Sequence, residues 1–264
     1  MAHPDHVAKL KSGVGAWNNW RSQHPQIVPD LSGLDLRGWY LEAINWAGAI
    51  LSQVNLQGAT LVQANFRQAN LSLINLADSI LTAADLSEAN LIGANLQGAN
   101  LATAELYRAN LIGSCLRDAN LNRAMLDGAR LNRCDLGNAH LTQAHLCQAN
   151  LCQVNLHRAT LIDAHLYGAD LSFANLREVN LCHADLVRAN LLEADLCGSH
   201  CDWANFSGAN LQRVNFNHAS LRGANFLRSN LQGASLLNVD AEMALHMARR
   251  SALDNTLFGS TKNR

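Results

Sequence analysis

His145, His165 and Asp185 stand twenty residues apart in this 264-residue chain. If that spacing stacked them, two imidazoles and a carboxylate would form a donor set for a transition-metal ion. A second group, His183, His200, Cys201, Asp202 and Trp203, holds the ingredients of a thiol nucleophile with its base. Seven cysteines, at 115, 134, 147, 152, 182, 197 and 201, raise a redox question, but the count is odd and no CxxC pair occurs. Phosphate-binding glycine loops, nucleophile elbows and zinc signatures are absent from the sequence.

The elements that must carry these residues follow from a period of five. From Leu31 to Leu236, forty-two successive fifth positions hold Leu or a substitute, with no insertion or deletion. Leu fills 36 of them, and Trp46, Phe66, Cys201, Phe206, Phe216 and Phe226 fill the rest. Ala usually stands two places earlier and Asn or Asp one place earlier, as in Ala94-Asn95-Leu96-Gln97-Gly98. A helix turning about 100° per residue would carry such a Leu around its whole circumference. A continuous strand, alternating every two residues, would send successive Leu side chains to opposite faces. The pattern closes only if each unit is a short extended piece followed by a corner. Ala and Leu then point inward together, and the Asn or Asp between them points out. Of the 17 glycines, 13 stand two places after a core position, where a tight corner needs positive φ.

Over roughly four fifths of the chain these units resemble the A(D/N)LXX repeats of the pentapeptide-repeat family. The resemblance implies an all-β solenoid, a right-handed quadrilateral β-helix with four units per coil and about ten coils. At about 4.8 Å per rung the rod would be roughly 50 Å long. The stretch GVGAWNNWRSQHPQIVPDLSG also resembles the helical preface of cyanobacterial members. Three segments are expected: a helical cap and lead-in over 1–28, the β-helix over 29–238, and a C-terminal helical cap and tail over 239–264. The first cap reads as one helix over 5–23, with Asp5 as N-cap and Val7, Leu10, Val14 and Trp17 on one stripe. At the far end Asp240 reads as the cap of a helix over 241–250, with Leu253, Leu257 and Phe258 folding back over the last coil. That favours a monomer, with dimerisation through the tail as the alternative.

Four units per coil turn a spacing of twenty into stacking. His145, His165 and Asp185 become an outward column that also contains Met125 and Asn205, so it reads as a variable position before it reads as a metal site. No cysteine stacks on another, and free thiols of a reducing compartment are expected. Cys201 occupies a core position and points inward, against a nucleophilic role. No catalytic, cofactor-binding or metal-ligating residue is assigned, and no cofactor is expected. A gapless rod with no long loop has nothing with which to wall off a reaction from water, so an enzyme is not expected.

Charge narrows the partners. The formal net charge is −1, no stretch approaches the roughly 20 apolar residues of a membrane helix, and the first residues, MAHPDHVAKLKSG, lack a signal peptide's apolar run. Direct nucleic-acid binding, membrane insertion and export are not expected, and the location is read as cytoplasmic. Residues 30–105 hold seven acids against Arg37 and Arg67, whereas the remainder to 240 balances at eleven each. The leading expectation is a non-enzymatic protein-binding scaffold whose flat faces engage another protein. Some family members mimic B-form DNA and bind DNA gyrase, which makes a gyrase or topoisomerase binder the alternative. A metal or redox sensor is the remote one.

Overall fold

The computed structural model describes residues 2–239. The expected helix over 241–250, its cap Asp240, and Leu253, Leu257 and Phe258 lie outside the described residues. From residue 30 onward every unit makes one parallel bridge to the unit twenty residues later. The series begins at Asp30 with Ile50 and ends at Asn215 with Ser235, without a missed step. A coil therefore spends its twenty residues on four units, and the rod has four faces. Their bridging residues begin with Asp30, Asp35, Tyr40 and Asn45 for the first to fourth face.

One unit shows why the sequence closes in this way. Asn150 N–H donates to Ala129 O at 2.9 Å in the preceding coil, and Leu151 N–H donates to Asp170 O at 2.7 Å in the next. Gln153 N–H reaches Ser172 O at 2.9 Å, while Val154 N–H closes the corner on Leu151 O at 3.0 Å. That leaves Cys152 N–H, which donates to the Asn150 side-chain Oδ1 at 3.1 Å. In every unit that carries one except that of Asn110, whose Oδ1 has no partner, the Asn or Asp is thus an Asx acceptor for the one amide the ladder cannot serve. Its other end extends the ladder: Asn75 Nδ2 donates to Asn55 Oδ1 at 3.1 Å and Asn175 Nδ2 to Asn155 Oδ1 at 2.8 Å.

The corner bond from residue i+3 back to i, with positive φ at i+2, has the pattern of a type II turn. Every such position from Gly33 to Asn238 has φ between 53° and 77°, whether Gly or not. Gln153 holds φ 58° and Thr103 φ 57°, a conformation costing on the order of 1 kcal/mol or more for a residue with Cβ. The ladder and the core must offset that cost at each corner. Inside, Leu and Ala are almost wholly excluded from solvent, each Leu contributing about 1.5–3 kcal/mol before entropy. The larger substitutes pair: Trp46 packs on Phe66 with ring centroids 5.5 Å apart, and Phe206, Phe216 and Phe226 meet at 5.1–6.0 Å.

The N-terminal segment forms two helices, α1 (Pro4–Lys11) and α2 (Val14–Gln23), where the sequence suggested one over 5–23. Gly13, at φ 94°, turns the chain between them, and α1 starts after His3, leaving Asp5 in its first turn rather than at its N-cap. Leu10 and Trp17 are buried, with Val7 and Val14 packed against the same core. The helices supply partners that a preceding coil would otherwise give. Asp30 N–H donates to His6 Nδ1 at 3.0 Å, and Asn45 N–H to Asn18 Oδ1 at 2.8 Å. Trp17 Nε1 donates to Asn45 O at 2.8 Å, and Arg21 to Ile27 O and Ala47 O.

Candidate functional site

The ladder fixes where any chemistry must sit. Side chains emerge only from the bridging residues and from the two residues at each corner. On four consecutive rungs of the fourth face, a bridging residue and the corner residue two places before it flank a buried Ala. The pairs are Arg123 with Met125, Gln143 with His145, Asp163 with His165, and His183 with Asp185. With Ala164 at its floor these residues line a groove of about 510 Å³. Bridges run Met125–His145–His165–Asp185, so the column expected from the spacing of twenty exists.

Its two rings are neighbours. The His145 and His165 ring centroids lie 4.6 Å apart with planes tilted by 34°. Among the described residues no three His, Cys, Asp or Glu side chains form a group able to hold a metal ion. Asp185 spends Oδ1 on Val187 N–H at 3.1 Å, and Arg123 Nε donates to Gln143 Oε1 at 3.0 Å. Asp163 and Asp185 make no ion pair among the described residues. Three corner carboxylates elsewhere do, Glu88 with Arg67, Glu178 with Arg158 and Glu193 with Arg213, while Asp78, Asp118, Asp127 and Asp202 likewise make none. Sequence reasoning found the bridging column and missed its companion, Arg123, Gln143, Asp163 and His183. The signal was there, since these residues repeat at the same interval of twenty, two places earlier.

The second sequence cluster is dispersed by the fold. Cys201 is fully buried, and burial pushes its thiol up to about 12, with the Ser199 hydroxyl 3.3 Å away opposing only in part. His183 projects from the corner into the groove, while His200 sits exposed on the third face, bridged to Asn180 and Ser220. Asp202 Oδ1 accepts from Ser220 Oγ and, at 3.1 Å, from Arg222 N–H. Trp203 is half exposed and lies flat over Gly223, where any Cβ would collide with its ring. All seven cysteines are unpaired. Cys134, also buried, donates to Leu111 O at 2.8 Å, and its thiol is raised by burial first.

A gapless ladder of five-residue units defines the molecule as a repeat solenoid. The chain belongs to the pentapeptide-repeat family: the model for pentapeptide repeats matches in eight copies over 30–68, 69–104, 104–143, 134–172, 174–213 and 209–242. Among solved structures it is similar to HetL of the cyanobacterium Nostoc sp. strain PCC 7120, a protein involved in heterocyst differentiation regulation. Identity there is 30%, covering 82% of this chain and 93% of that one, with a TM-score of 0.45. Rfr23 of the cyanobacterium Cyanothece 51142 is 33% identical over 46% of this chain and 91% of its own, with a TM-score of 0.34. QnrB1, a plasmid-mediated fluoroquinolone resistance protein, is 20% identical over 66% of this chain and 94% of that one, at a TM-score of 0.40. No curated protein matches the chain.

Proposed function

We propose that the protein is a non-enzymatic binding module that presents the faces of a rigid rod to another protein. The observation carrying this reading is the unbroken ladder: each corner from Leu31 through Ala234 is closed by its own i to i+3 bond, so no loop overhangs a face among the described residues. Side chains are thereby held at fixed intervals on a stiff lattice, which lowers the ordering cost of binding. A right-handed rod of about ten coils, closed by helices at its N-terminal end and working as a cytoplasmic monomer, completes the proposal. Among the described residues no helix is long and apolar enough to cross a membrane.

The acidic surface does not favour the gyrase-binding alternative. Six carboxylates, among them Asp35, Asp135 and Asp195, are already paired with arginines, which breaks up the continuous negative field that replaces DNA phosphate. The test is affinity capture from lysate of the cell of origin, followed by titration of the purified partner and amide exchange of the complex. Saturable binding with protection confined to one or two faces supports the reading. Absence of any saturable protein partner at physiological salt refutes it, and gyrase as the partner replaces it with the alternative.

A further inference from the structure

The groove of the fourth face is polar along its length, with a field that runs in one direction. At its N-terminal end Arg123 is tied to Gln143. At its other end Asp163 and Asp185 sit diagonally on adjacent rungs, with His165 and His183 completing the square. Neighbouring rungs are about 4.8 Å apart, so the two carboxylates stand one rung apart on either side of the groove. The His145 ring lies against His165, and the next rung beyond His165 carries His183 and Asp185. A planar, delocalised cation fits this end: it can pack on an imidazole while its N–H groups reach two carboxylates. A compact ammonium could take the charge but not the packing. An inorganic anion would meet two uncompensated carboxylates.

We infer that this groove receives an arginine side chain of the partner protein, its guanidinium held by Asp163 and Asp185 against His165. The inference rests on the binding-module reading and names the face and the chemistry of its contact. What distinguishes these two carboxylates is their setting: Glu88, Glu178 and Glu193 at other corners have their own arginines, whereas Asp163 and Asp185 make no ion pair among the described residues and line one groove with His145 and His165.

The probe is acetyl-Gly-Arg-Gly amide, titrated into the full chain at pH 8, with the histidine ring signals followed by NMR. The expected result is saturable shifts at His145, His165 and His183, with His140, His157 and His218 as unmoved internal controls. The lysine analogue should bind more weakly, Asp163→Asn and Asp185→Asn should each weaken binding about two- to fivefold, and Arg123→Gln should leave it unchanged or tighter. Uniform shifts of all histidines, equal binding by Asp163→Asn/Asp185→Asn, stronger shifts with inorganic phosphate, or loss of binding in Arg123→Gln would each overturn it. A captured protein partner that binds wild type and the double variant equally removes this inference and leaves the binding-module reading standing. Peptide binding without any captured protein removes the binding-module reading and reduces the inference to a guanidinium site without a protein partner.

Discussion

Asn155 lies midway along the second face and makes three side-chain bonds at once. Its Oδ1 accepts from His157 N–H at 3.3 Å and from Asn175 Nδ2 at 2.8 Å, and its Nδ2 donates to Asp135 Oδ1 at 2.7 Å. Replacing it by Ala keeps the backbone bridge to Asp135 and Asn175 but strips all three. At about 0.5–1.5 kcal/mol net for each bond, with the His157 amide left without its acceptor, Asn155→Ala should destabilise by about 2–3 kcal/mol. For a chain of this size that lowers the melting temperature by about 4–12 °C. Urea titration followed by circular dichroism reads the global loss, and amide exchange at His157 reads the local one. His165→Ala is the control, because His165 bridges in the same way yet makes no Asx bond to its own corner; it should change stability by less than about 0.5 kcal/mol. Asn155→Ala within that same margin, with His157 exchange unchanged, would refute the view that the Asn serves the backbone.

The same logic predicts a gain at Cys115, which interrupts the second-face ladder between Asn95 and Asp135. Cys115→Asn can donate to Asn95 Oδ1 and accept from Arg117 N–H, and should raise stability by about 0.5–1.5 kcal/mol in urea titration; an unchanged or lower midpoint would count against it. His6 accepts from Asp30 N–H, and burial, then His3, lowers its pKa, while Asp5 and Asp30 oppose the shift. Because its folded pKa lies below the unfolded value, its contribution is complete above about pH 6.5. It declines as pH falls below that, since the unfolded chain takes the proton first. Stability measured at pH 7.5 and 5.5 should show this drop in wild type and a smaller one in His6→Gln. Native thiol titration at pH 8 should leave Cys134 and Cys201 unreacted until denaturant is added, with Cys147 and Cys182, also raised by burial, slower than Cys152. Early modification of Cys201 would contradict its burial.

The fold was legible because its two strongest signals are independent and agree. Leu at every fifth position fixes the inward direction, and Gly two places later marks the left-handed corner. Corners held by Gln, Arg, Asp and Glu in the same conformation were not legible one at a time, because no side chain at Gln153 or Arg158 announces positive φ; only the register does. The Asn or Asp position was read as merely outward, whereas it is half-buried and bonded to its own corner and its neighbours. Single-residue polarity shows that a side chain can meet water but not that a backbone amide two residues on has nowhere else to donate. The helix break at Gly13 was missed for a related reason: hydrophobic periodicity runs through Val7, Leu10, Val14 and Trp17 as though the turn were absent.

For the groove, one column was legible and the other was not. His145, His165 and Asp185 attract notice as metal-ligand types, and that chemistry directed attention away from Arg123, Gln143, Asp163 and His183, which belong to a different position of the repeat. Yet on a lattice where every bridging residue has a corner residue two places before it, a column never acts alone. Its neighbours are set by the same interval that sets it. The ladder holds the backbones of His145 and His165 in register, and that register places their rings 4.6 Å apart on the rungs that also carry Asp163 and, one step on, Asp185. The regularity that sets the column therefore also sets the proposed arginine site, and both follow from one five-residue unit repeated with small changes in its outward residues.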